Sequence, residues 1–137
     1  MAQREIDNKK DILSIGSKEL AYLGDSVYEV NIRKTLIRLG IRGVKDLNKM
    51  SMNYVSALYQ ADIFSFLKDY LTEEEMKVAL RGRNTKIKHS SKSVNISTYR
   101  LATALECVFG YLYLLDDTDR IKELMDKIFE YKKAEVI

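Results

Sequence analysis

A chain of 137 residues, 46% hydrophobic and 31% charged, is long enough to close a hydrophobic core and too apolar to stay disordered. One cysteine, Cys107, excludes an internal disulfide; the first residues hold no apolar run long enough for a secretory signal, and no later run approaches a membrane span. A net charge of +3 is too small to name a partner, so charge has to be read by its placement. These limits describe one soluble domain over residues 1–137, in a reducing compartment, of which the cytoplasm is the simplest.

The chain has no proline and six glycines, so the breakers that tight turns and strands need are scarce and an all-α fold is expected. Ser17 can cap a first long helix running to about Leu39, with Arg38 in its last turn and Gly40 as its stop. In this helix the run LAYLGDSVYEV sets Leu20, Leu23, Val27 and Val30 on one apolar stripe. Asp25 falls on the other side with Tyr22, Ile32 and Leu36, and Glu29 follows one turn later in a semi-buried sector. Gly24 costs a helix interior about 1 kcal/mol relative to alanine, which points to close approach of another helix beside Asp25. Interhelical packing next to a solvated aspartate would account for the same pattern.

Ser51 can open a second long helix, through Tyr54, Val55, Leu58, Tyr59, Ile63 and Phe66. Thr72 followed by Glu75 reads as the capping box of a third. The stretch from Asn84 to Ser97 is polar, serine-rich and without apolar periodicity, and is expected to be a loop. Between Arg81 and Arg100 lie Arg83, Lys86, Lys88 and Lys92 with no acidic residue, so the positive charge is gathered there. Together with Asn84 these cations supply the contacts that a phosphate backbone needs, and a loop across a groove suits double-stranded RNA, which is recognised by shape. A solvated charged loop is the alternative. His89 has no ligand-spaced His or Cys near it, so neither zinc chemistry nor a serine-type triad is supported.

Thr98 is placed to cap an apolar helix reaching about Leu115, and an amphipathic helix with Ile121, Leu124, Met125, Ile128 and Phe129 follows. In the run LATALECVFGYLYLL, Cys107 reads as a small buried hydrophobe and Glu106 is the single acid. A buried carboxylate must be protonated, paired with a cation or bound to a metal. Ala102, Thr103 and Gly110, one turn either side of Glu106, leave room for an ion, a substrate or another backbone; pairing with an Arg or Lys of another helix is the structural alternative. Asp25 and Glu106 meeting from separate helices would suit Mg²⁺, which prefers oxygen ligands, activates water and stabilises phosphate charge.

LAYLGDSVYEV resembles the signature helix of the ribonuclease III catalytic domain, and YRLATALECVFGYLYL resembles the second acidic helix of that family. LRGRN before the basic loop, the short length and the lack of a following double-stranded-RNA-binding domain are similar to the Mini-ribonuclease III branch. The resemblance implies a ribonuclease III-like helical fold and a homodimer with one hydrolytic centre per subunit. It further implies magnesium-dependent cleavage of double-stranded RNA, in the 23S ribosomal RNA precursor during ribosome assembly. It assigns catalysis and metal binding to Asp25 and Glu106, and leaves RNA contact to Arg81, Arg83, Asn84, Lys86, Lys88 and Lys92. Where the larger enzymes carry two further acids this chain has Ala21 and Thr103, which shifts the burden of holding the ion toward water, phosphate oxygens and Glu29. The rival readings are a non-catalytic RNA-binding or ribosome-associated module of the same fold, and a helical protein-interaction domain.

Overall fold

Scarcity of breakers has the expected result. The computed structural model describes residues 8–85 and 95–136, in which every regular element is helical. A short α1 (Lys9–Leu13) is capped by Asn8, whose side chain accepts from the Asp11 amide at 2.9 Å. The long α2 (Ser17–Arg38) has Gly16, not Ser17, at its N-cap. It stops where Gly40 takes φ +98°, and Arg42 donates to the carbonyls of Ile37, in the last turn, and Ile41, beyond it, at 2.8 and 3.0 Å.

The second long helix is two helices. α3 (Val44–Val55) begins after Gly43, seven residues before Ser51, and α4 (Ala57–Leu67) follows a single extended residue, Ser56, at φ −66° and ψ 151°. The bend turns Leu58, 65% exposed, out of the stripe expected to bury it, while Ile63, Phe64 and Leu67 face the core. A 3-10 turn over Lys68–Tyr70 leads to α5 (Glu73–Arg83), opened by the Thr72–Glu75 capping box in full. α6 (Ile96–Leu114) starts two residues before Thr98, with Asn95 as its cap, and α7 (Thr118–Val136) buries Ile121, Leu124, Met125 and Ile128.

α6 is the central helix, packed against α2, α5 and α4, so its residues from Cys107 to Leu112 are all buried. Each such large apolar side chain contributes roughly 1.5–3 kcal/mol. Burial pushes the Cys107 thiol up to about 12, helped by the charge of Glu106, so the residue acts as the small hydrophobe expected. The face α2 turns to α6 is formed by Leu20, Gly24, Val27, Tyr28, Ile32 and Leu36. Val30, expected in the apolar stripe, is 61% exposed, because the buried stripe turns toward Tyr28 and Ile32. Tyr28 ties three elements together: its hydroxyl donates to the Tyr54 carbonyl of α3 at 2.7 Å and its ring meets Phe109 of α6 edge-on at 5.3 Å.

α5 and α7 are joined at their starts by Glu75, which is buried, and Arg120. Two guanidinium nitrogens donate to the carboxylate at 2.8 and 2.9 Å, and one also reaches the Tyr70 carbonyl at 2.7 Å. Burial alone would raise the Glu75 carboxyl, but the bonds from Arg120 and Thr72 together hold it below its usual value.

Candidate active site

The site is made by a helix crossing that two glycines permit. An added Cβ at Gly24 of α2 would overlap the Glu106 carbonyl of α6, and one at Gly110 would overlap the Leu20 carbonyl of α2. The two backbones therefore touch, and Gly24 has the helical neighbour its composition cost called for. Asp25 follows Gly24 and Glu106 precedes Gly110 by one turn, so the close crossing brings both carboxylates to its edge. They share a cavity of about 330 Å³ with Ala21, Tyr22, Leu23 and Ser26. Sequence spacing did not single out Tyr22 or Ser26 for this site; Tyr22 three residues before Asp25 on the same side of the helix, and Ser26 next to it, were the available signal.

Glu106 is pulled into the helix pair while Asp25 stands exposed at the rim. Burial is the main cause that raises the Glu106 carboxyl to about 8, and the charge of Asp25 and a hydrogen bond with it add to the effect. Among the described residues no lysine or arginine is ion-paired with either acid, so the structural alternative of a buried Glu–Arg or Glu–Lys pair is not what the fold builds. Two hard oxygen donors meeting without a cation form a donor set that fits a divalent ion such as Mg²⁺. Among the described residues no group of three or more His, Cys, Asp or Glu side chains could hold a metal.

Other candidates fall away from this cavity. Glu29 accepts from Arg33 at 2.8 Å one turn further along α2 and does not line it. Ala21 does, leaving space where a larger acid would stand. Thr103 donates its hydroxyl to the Tyr99 carbonyl at 2.9 Å, within its own helix. Of the basic residues, Arg81 bonds the carbonyls of Leu13 and Ile15 at 2.8 and 2.7 Å and so secures the end of α1. Arg83 and Asn84 are exposed and linked at 3.2 Å. Lys86, Lys88, His89 and Lys92 lie outside the described residues.

Comparison with known proteins identifies the family. Residues 18–117, which hold both acids and the helices that present them, match the Ribonuclease III domain family. The chain is 42% identical over 118 residues to the Mini-ribonuclease 3 of Clostridium tetani, covering 85% of this chain and 78% of that one. It is 38% identical over 128 residues to the Mini-ribonuclease 3 of Staphylococcus aureus, covering 90% and 95%. An X-ray crystal structure of a Fusobacterium nucleatum protein superimposes with a TM-score of 0.77 at 33% identity, covering 89% of this chain and 98% of the other. Among the described residues no helix is long and apolar enough to cross a membrane. A domain match that spans most of the chain, joined to relatives aligned over 78% and 95% of their length, means that the chain belongs to the ribonuclease III domain family.

Proposed function

We propose that this chain is a magnesium-dependent endoribonuclease of double-stranded RNA, a single catalytic domain that works as a homodimer in the cytoplasm, on ribosomal RNA precursor. The observation that carries the reading is the meeting of Asp25 and Glu106 at the α2–α6 crossing, without a compensating cation among the described residues. A bound magnesium ion would supply Lewis acidity, water activation and neutralisation of phosphate charge. Asp25 and Glu106 would hold it, Asp25 from the exposed rim and Glu106 from the half-buried wall of the crossing. The two glycines set the approach of the acids by allowing the crossing, and the small Ala21 leaves space in which water and phosphate oxygens would complete the coordination of an ion. Arg83 and Asn84, with Lys86, Lys88 and Lys92, contact the RNA backbone, while Arg81 serves by holding α1.

The test separates cleavage from binding. Asp25→Asn removes a metal charge and no phosphate contact, so cleavage of a duplex RNA falls by at least about a thousandfold while its affinity, measured in EDTA, changes less than about threefold. In the same variant the thermal stabilisation that magnesium gives the wild type disappears. An unchanged cleavage rate would falsify the assignment, and duplex binding without magnesium-dependent cleavage in the wild type would favour the non-catalytic RNA-binding module.

A further inference from the structure

Away from the acidic cavity, the junction of α5 and α6 holds a second recess of about 240 Å³, lined by Arg83, Asn84, Ser97, Arg100 and Leu101. Two guanidinium-bearing side chains line one small space with no acid among the described residues of its wall. Among the described residues neither Arg83 nor Arg100 is ion-paired with a carboxylate.

The fold accounts for one of these arginines. Arg83 is the last residue of α5, where the negative end of the helix dipole favours a cation. Arg100 is the fifth residue of α6, just past the first turn at that helix's positive end, where the dipole offers a cation no attraction. Two like charges gathered beside a positive helix end cost free energy unless an anion lies between them. The start of α6 adds donors: the Asn95 side chain takes up the Thr98 amide at 2.8 Å, which leaves the Ile96 and Ser97 amides without intrahelical acceptors.

We propose that this recess holds one backbone phosphate of the duplex RNA, clamped between Arg83 and Arg100, with Ser97 as an added hydroxyl donor. Guanidinium groups suit the role because their planar donor forks match phosphate oxygens. This inference rests on the nuclease reading and deepens it, since it makes Arg100 a substrate-binding residue. Arg100 precedes Glu106 by six residues, roughly 9 Å along the axis of α6, so the clamped phosphate lies within a few nucleotides of the bond to be cut. Its effect is to fix the register of the duplex over the acids, and it takes no part in the chemistry.

Affinity for a duplex RNA, measured in EDTA over a series of KCl concentrations, tests the clamp. Arg100→Ala and Arg83→Ala each weaken binding by about tenfold and lower the salt slope by about one, the effect of losing one phosphate contact. Because both arginines hold the same phosphate, the double variant also lowers the slope by about one, not two, and Arg100→Lys recovers part of the loss. The thermal midpoint of Arg100→Ala stays near that of the wild type, which separates a lost RNA contact from a damaged fold. A slope unchanged in Arg100→Ala, or lowered by two in the double variant, overturns the clamp and leaves the nuclease intact. If the wild type does not bind duplex RNA at all, both readings fall together.

Discussion

Glu106 is the residue on which burial and charge act most visibly. In the metal-free protein its carboxyl is raised to about 8 from 4.5, chiefly by burial and then by Asp25, so the folded chain keeps a proton that the unfolded chain has released. That stabilisation is complete below the unfolded value and is lost as the pH climbs through the folded one. Glu106→Gln, which keeps the shape without the charge, should therefore gain on the wild type as the pH rises. In EDTA the difference between their thermal midpoints is small near about pH 5 and favours the variant by several degrees near about pH 9. Adding magnesium at the higher pH should raise the wild-type midpoint and leave the variant where it was. Midpoints that run parallel across the whole range would show that Glu106 carries no such proton. This acid was legible in the sequence because an isolated charge in an otherwise apolar helix has few physical excuses. Asp25 was less so: a helix with apolar residues on two sides does not say which side is covered, and of the sector expected to be semi-buried Glu29 is half-buried and paired with Arg33 while Asp25 stands exposed.

At the scale of elements, the α2–α6 crossing reverses an ordinary rule. Gly→Ala in the middle of a helix normally stabilises by about 1 kcal/mol. At Gly24 the new methyl meets backbone atoms of Glu106, which cannot rotate away as a side chain would. Gly24→Ala should thus destabilise the fold by about 3 kcal/mol in urea denaturation, the upper end of the usual overpacking range. It should also depress cleavage under conditions where the variant is still folded, since it widens the gap between the acids. A neutral or stabilising effect would show that the helices can part freely and that the crossing does not set the site. Sequence gave notice of Gly24 through its propensity cost, and of the Thr72–Glu75 box because a cap is a local contact. The interruption at Ser56 gave none. Residues on both sides have helical periodicity, neither proline nor glycine marks the step, and the bend is imposed by how α3 and α4 must each reach the core.

The whole molecule is where a single sequence says least, because its ties join residues far apart in the chain, as Glu75 and Arg120 are. The same holds for association. On α2, Tyr22, Val30 and Ile37 are 84%, 61% and 49% exposed and recur at spacings of eight and seven residues, which keeps them within one face of the helix. An apolar stripe of this kind on a surface helix is a ready interface, and the proposed homodimer gives it an occupant: a second copy of the same chain. Tyr22 is the sharper probe since its ring is already in solvent, so Tyr22→Ser should change the stability of the isolated fold by no more than about 0.5 kcal/mol. Any large effect then belongs to association. Sedimentation equilibrium at micromolar protein should find the wild type dimeric and the variant shifted to monomer, with the same helical circular dichroism in both. Mass rather than cleavage rate is the proper readout, because Tyr22 also lines the acidic cavity. A monomeric wild type would remove the dimer from the proposed function, and a variant as dimeric as the wild type would move the interface to another face of the molecule.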